Sequence, residues 1–158
     1  MLLAAALFAA GFAYAQQRLV DPSAADSAQP AAMRILRHLA DGDIEAAAQL
    51  SNAPQRRLEV LRDYRSSVGD EEFKRVFGRY FVPQNRVVAE VAYGPRRLLV
   101  WDLGEAGNRL TGQFYIERDG AFVMDDVPDP ARSELQRILG EYRSGIRGQV
   151  RNSFPRTQ

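Results

Sequence analysis

The sequence predicts a single α+β domain with its helices first and an antiparallel sheet after them, and three observations carry that prediction. Apolar residues recur at helical spacing between residues 33 and 81. From Arg86 the apolar period drops to two and holds through several runs parted by Gly, Pro and Asp. A last helical stripe, Leu135, Ile138, Leu139 and Tyr142, then follows Asp129-Pro130, a capping residue and a first-turn proline. Helices grouped ahead of strands, rather than alternating with them, belong to folds that segregate their layers.

Taken in order, residues 1–15 carry no charge and end in Ala13-Tyr14-Ala15, an apolar core followed by the small residues that a signal peptidase reads. At about 14 residues the apolar run is shorter than the roughly 20 a membrane helix needs. A signal peptide cleaved after Ala15 is therefore expected, giving a periplasmic or secreted chain with no membrane span after cleavage. Residues 16–30, rich in Ala, Ser, Asp, Gln and Pro, read as a flexible leader.

The domain is expected over residues 31–146. Met33, Leu36, Leu39 and Ala40 mark a first helix that Asp41-Gly42 ends, and Asp43 caps a short second one from Ile44 to Leu50. Leu58, Leu61, Tyr64 and Val68 define a third helix ended by Gly69. Asp70 is read as the cap of a fourth carrying Phe73, Val76, Phe77, Tyr80 and Phe81, which Pro83 closes. Strands follow over residues 87–93 and 98–103, joined by Gly94-Pro95, and then over residues 110–116 after a loop from Gly104 to Asn108. The turn Arg118-Asp119-Gly120 leads into residues 121–127, completing a meander of at least four strands. Gly145 and Gly148 end the last helix. Residues 147–158, with Arg147, Arg151 and Arg156 and no acid, are expected to be a mobile basic tail.

Composition narrows the functional classes. Of 158 residues, removal of the signal leaves about 143, enough for one real core but not two. Twenty-one basic and 20 acidic residues give a net charge of +1, so no global field draws nucleic acid. The chain has no Cys, which excludes disulfides, thiol nucleophiles, thiolate metal sites and lipid attachment at an N-terminal Cys, and a soluble mature protein is expected. Lys74 is the only Lys among many Arg, pointing to G+C-rich coding and a bacterial source. His38 is the only His, so a multi-His metal site is excluded, and no Gly-x-Ser-x-Gly elbow offers it a nucleophile; it reads as a helix-surface residue. No Walker loop, dinucleotide fingerprint or EF-hand loop is present, so no cofactor is expected.

The opening hairpin, His38-Leu39-Ala40-Asp41-Gly42-Asp43-Ile44-Glu45-Ala46-Ala47, together with the long meander ending in Gly120-Ala121-Phe122-Val123, resembles the nuclear transport factor 2-like superfamily of cystatin-like α+β folds, in its small exported bacterial branch. The resemblance spans roughly residues 31–127 and leaves the last helix outside the pattern. It implies a curled, cone-like sheet packed against the helices, with a mouth able to admit a small apolar ligand. The family includes isomerases, dehydratases and cyclases beside non-catalytic binding and assembly modules, so the fold leaves the activity open.

If Trp101 marks the concave face, alternation places Val91, Tyr93, Leu99, Phe114 and Phe122 beside it, with Tyr64 and Phe77 facing them from the helices. Tyr64, Phe77, Tyr93, Trp101 and Phe114 are thus candidates to line a ligand pocket, the alternative being that they simply form the core. Asp126 continues the parity of Phe122 and Met124 and is the candidate general base, with Tyr93 or Tyr64 as the phenol that stabilises a developing oxyanion. Its position, with Asp125, before Val127-Pro128 at a strand end favours solvent instead. Glu90 and Asp102 fall on the opposite face by the same count. That outer face, with Val88, Ala92, Leu98, Val100, Tyr115 and Val123, is rather apolar for a surface in water, and a second copy of the sheet, the last helix or a partner would each cover it. Arg56-Arg57 and Arg96-Arg97 read as solvated pairs, or as contacts to anionic envelope components. The expectation is an exported, non-catalytic binding or assembly module whose partner is a small apolar ligand or an envelope protein. An acid-base isomerase or dehydratase working in the cone is the alternative.

Overall fold

Five antiparallel strands form one sheet in chain order: β1 (Gln17–Val20), β2 (Arg86–Tyr93), β3 (Arg96–Asp102), β4 (Leu110–Arg118) and β5 (Ala121–Met124). α1 (Gln29–Asp41), α2 (Ile44–Gln49), α3 (Pro54–Val68) and α4 (Asp70–Gly78) pack on one face, here called inner, and α5 (Pro130–Arg143) packs on the other. The computed structural model describes residues 16–104 and 110–147. The expected signal peptide and all of the basic tail beyond Arg147 lie outside the described residues.

The helix boundaries follow from local chemistry. Gly42, at φ 80°, turns the chain out of α1 in the left-handed conformation, and the Asp43 side chain accepts from the Ala46 amide at 3.0 Å to start α2. Asp129 caps α5 through the Ala131 amide at 2.8 Å. One cap differs from expectation: Gly69 rather than Asp70 precedes α4, and Asp70 lies within the first turn, paired with Arg65 and Lys74. α4 gives way to a 3-10 turn at Arg79–Phe81, which carries Tyr80 onto the sheet. The β4–β5 turn has Asp119 at φ 51° and Gly120 at φ 78°, the two positive angles that match a two-residue turn to strand twist.

The leader expected to be flexible over residues 16–30 instead supplies β1, which pairs with β2 from Gln17↔Tyr93 to Val20↔Glu90, and also the start of α1. Four residues with only Val20 buried leave almost no alternation to read; the strand exists because the edge of β2 offers it a hydrogen-bond ladder. The domain therefore begins ahead of residue 31.

The inner core joins Ile35, Leu36 and Leu39 of α1, Ala47 and Ala48 of α2, Leu61 of α3 and Phe73 of α4 to Leu99, Trp101, Tyr115 and Met124 of the sheet. On the outer face Leu135, Ile138, Leu139 and Tyr142 of α5 cover Ala89, Val91, Leu98 and Val100. That apolar face is thus covered by the chain's own last helix. Gly112 allows the close approach: a Cβ there would fall 2.4 Å from Leu139 Cδ2.

Two strands carry the opposite parity to that expected. Between Val87, opposite Trp101, and Ala89, opposite Val100, Val88 is an extra residue, and this bulge turns Val91 and Tyr93 outward and Glu90 inward. In β4 the register sets Thr111 against Trp101, Gln113 against Leu99 and Tyr115 against Arg97, so Phe114 faces outward.

Candidate functional site

The chain leaves a cavity of about 180 Å³ on the inner side of β4, open to solvent beside β5. Ile35, Leu36 and Leu39 of α1, Leu61 of α3, Phe77 of α4 and Met124 of β5 give it apolar walls, while Gln113 and Tyr115 form its polar floor. Its rim holds Arg57, Asp125, Asp126 and Arg132. For scale, an enclosed, wholly apolar cavity of about 150 Å³ takes up benzene. The space here is therefore of the size of one small apolar molecule.

The floor is a closed hydrogen-bond network. Trp101 Nε1 and the Tyr115 hydroxyl both donate to Gln113 Oε1, at 2.9 and 3.0 Å. The Tyr80 side chain bonds with Thr111 and Gln113 and meets the Trp101 ring edge-on at 5.1 Å. Burial pushes both phenols above the ordinary tyrosine range, so they stay neutral and act as hydrogen-bonding groups rather than bases. Trp101 itself is 1% exposed.

Asp126 does reach the rim, but as half of an ion pair. Arg57 grips it through two nitrogens, Nε to Oδ2 at 2.9 Å and Nη2 to Oδ1, and the Ser51 hydroxyl donates to Oδ2. Its backbone amide donates to Asn52 Oδ1 at 2.7 Å. The neighbouring Asp125 is 1% exposed, accepting from Arg96 Nε at 2.9 Å and Asn52 Nδ2 at 2.8 Å. Arg96 also reaches Asp129 at 3.4 Å. The Ser51-Asn52 loop is brought here because Asn52 and Leu50 exchange backbone hydrogen bonds with Met124, extending the sheet beyond β5. The strand-end carboxylates expected in solvent are instead the anchor of the α2–α3 loop. Both oxygens of Asp126 are thus engaged, by Arg57 and by Ser51.

The candidate pocket residues divide. Phe77 lines the cavity, and Trp101 lies beneath it as a fully buried part of the floor. Tyr64 packs among Phe73 and Phe77 at ring distances of 5.7 and 6.3 Å and is core rather than lining. Tyr93 packs with the outer cluster, so the structure does not bring it to Asp126. Phe114 also belongs to the outer cluster and touches the cavity only at the rim, with the Arg132 guanidinium 5.5 Å above its ring. His38 is a helix-surface residue, 3.9 Å from Asp43.

Polar residues of the site that escaped the sequence reading include Arg57, Gln113, Tyr115 and Arg132. Arg57 stands one turn before Leu61 on α3, beside the apolar stripe, which was the available signal. Gln113 lies between Thr111 and Tyr115 in a strand whose alternation was read with Phe114 on the concave face and Tyr115 on the outer one, the reverse of the facing that its register sets. The arginine pairs are not simply solvated either. Arg57 holds Asp126, Arg96 holds Asp125, and Arg97 is 5% exposed, bonded to the Gly94 and Arg96 carbonyls and set over the Phe122 ring; Arg56 alone is exposed.

Among the described residues no helix is long and apolar enough to cross a membrane, and no group of three or more His, Asp or Glu is placed to hold a metal ion. Neither a protein-family model, nor a curated protein, nor a solved structure matches the chain.

Proposed function

We propose that this chain is an exported, non-catalytic binding module of the bacterial envelope, built on a nuclear transport factor 2-like plan, that takes a small apolar molecule into the cavity beside β4. One observation carries the reading: the cavity has apolar walls and a neutral floor, and the two carboxylates at its rim are committed to Arg57 and Arg96. Such a site offers a ligand burial and shape, with few polar groups to orient it. The acid-base alternative loses support at the same point, because its candidate base is paired and, of its candidate phenols, Tyr93 faces the other side of the sheet while Tyr64 packs against Phe73 and Phe77.

Export rests on residues 1–15 and predicts a mature N-terminus at Gln16, read directly by mass spectrometry of the envelope fraction. Binding is tested with 3-phenylpropan-1-ol as the probe. It is expected to raise the melting temperature of the wild type in a concentration-dependent way, as any ligand that prefers the native state does. Leu61→Phe, which fills the cavity, is expected to remove the shift. Equal shifts in wild type and variant, with the variant folded, contradict the reading.

A further inference from the structure

We propose that the ligand of this cavity is a monocarboxylate with a small apolar body, its carboxylate held at the rim by Arg132; this rests on the binding-module reading and specifies its ligand class. The argument begins with an imbalance. Of the arginines around the mouth, Arg57 is matched to Asp126, and Arg96 is matched to Asp125 and leans to Asp129. Arg132 has no such match: among the described residues no carboxylate lies within ion-pair distance of it, and its Nε is buried with no hydrogen-bond partner. A guanidinium cannot shed its charge by losing a proton, so a buried N–H on it is a donor in want of an acceptor.

The placement of the guanidinium defines the acceptor. Arg132 is fixed one turn into α5, whose Asp129 cap and Pro130 set the start of the helix, and its guanidinium rests 5.5 Å from the Phe114 ring centroid. At that distance the guanidinium is attracted to the ring face, and its N–H fork suits a planar acceptor, which a carboxylate meets with two parallel bonds. The same side chain lines the cavity whose far walls are Leu36, Leu61 and Phe77. A molecule that fills those walls with a phenyl-sized body and carries a carboxylate on a short stem satisfies both ends. Of the nearby carboxylates, Asp126 is matched by Arg57, while Asp125 and Asp129 share Arg96.

The test compares 3-phenylpropionate with its neutral isostere 3-phenylpropan-1-ol on the full mature chain at pH 7. The readout is the methyl signals of Met33 and Met124, since Met124 lines the cavity and Met33 does not. Both probes are expected to shift Met124, with the acid binding about tenfold or more tightly than the alcohol, the scale of a charge-assisted contact. Arg132→Met, which keeps the apolar stem over Phe114, is expected to bring the acid down to the alcohol's affinity and leave the alcohol unchanged. Equal affinities in the wild type overturn the carboxylate assignment while leaving the cavity reading intact, and this comparison does not depend on the variant folding. If neither probe shifts Met124, the binding-module reading fails, and the ligand assignment with it.

Discussion

Glu90 and Ala28 lie 62 positions apart and are joined by a hydrogen bond of 2.9 Å, the Ala28 amide donating to a carboxylate that is 0% exposed. The sheet thereby caps α1 with a side chain from β2, and the Ser27 hydroxyl adds a second bond at 2.6 Å. α1 has no side-chain cap from its own Ala28; Glu90 takes the Ala28 amide from across the layers, and the Ser27 hydroxyl accepts from the Gln29 amide at 3.0 Å. Arg97 Nε stands 3.6 Å from the same carboxylate.

That burial predicts a pH dependence. Desolvation raises the Glu90 pKa in the folded chain above its ordinary 4.5, outweighing Ser27, Ala28 and Arg97, with Asp26 adding to the rise. The native state then holds this proton where the unfolded chain has lost it. The stabilisation is complete below about 4.5 and is lost as pH climbs through the folded value. Glu90→Gln, which keeps an acceptor for Ala28, is expected to flatten that decline, its stability relative to wild type improving from pH 4 to pH 7 in urea melts. Parallel curves for the two proteins would count against this.

Gly112→Ala is expected to destabilise the domain by about 1 to 3 kcal/mol, because the added methyl lies 2.4 Å from Leu139 Cδ2 and 3.1 Å from Leu98 Cδ1, and the buried Leu139 side chain or α5 itself must shift to admit it. Leu139→Ala in the same chain relieves the overlap, so the double variant should cost clearly less than the two single changes together. Full additivity would mean that α5 does not press on Gly112.

Trp101→Ala should cost about 3 to 5 kcal/mol, the range for removing a buried large aromatic. It deletes the ring that Tyr80 meets edge-on and one of the two donors that hold Gln113. A loss below about 1 kcal/mol in a denaturant melt would place Trp101 outside the core.

Arg57→Ala strands the Asp126 carboxylate, 9% exposed, without its cation, and should cost about 1 to 3 kcal/mol. Asp126→Asn keeps an oxygen for Ser51 and leaves Arg57, the more exposed partner, able to turn to water, so it should cost less. With a paired carboxylate in place of a base, Asp126→Asn is also expected to leave complementation in a bacterial host intact. Loss of complementation by a folded, exported Asp126→Asn protein would restore the acid-base enzyme.

How far the chain could be read ahead of its structure varies by element for identifiable reasons. β3 and β5 were legible, with Leu99, Trp101 and Leu103 and then Phe122 and Met124 facing the helices as their alternation implies. β2 was not, since one extra residue at Val88 exchanges faces for everything after it, and periodicity does not mark a bulge between two valines. β4 was not, because its own alternation is clear but its facing depends on a register set through pairing with β3. The α5 stripe was read correctly, while the surface it covers was one of three possibilities. At the site, Phe77 and Asp126 were visible as types in a pattern. The pairing of Arg57 with Asp126, across 69 positions, is tertiary and has no local trace.

The most direct test of the central claim is an intermolecular NOE experiment with toluene, which has no polar group to bind by other means. The account predicts cross-peaks from the toluene ring to the Met124 methyl and to the methyls of Ile35, Leu36 and Leu61, with none to Met33 or to the α5 leucines that pack on the outer face. Contacts confined to the outer face, or none at all at millimolar toluene, would contradict it.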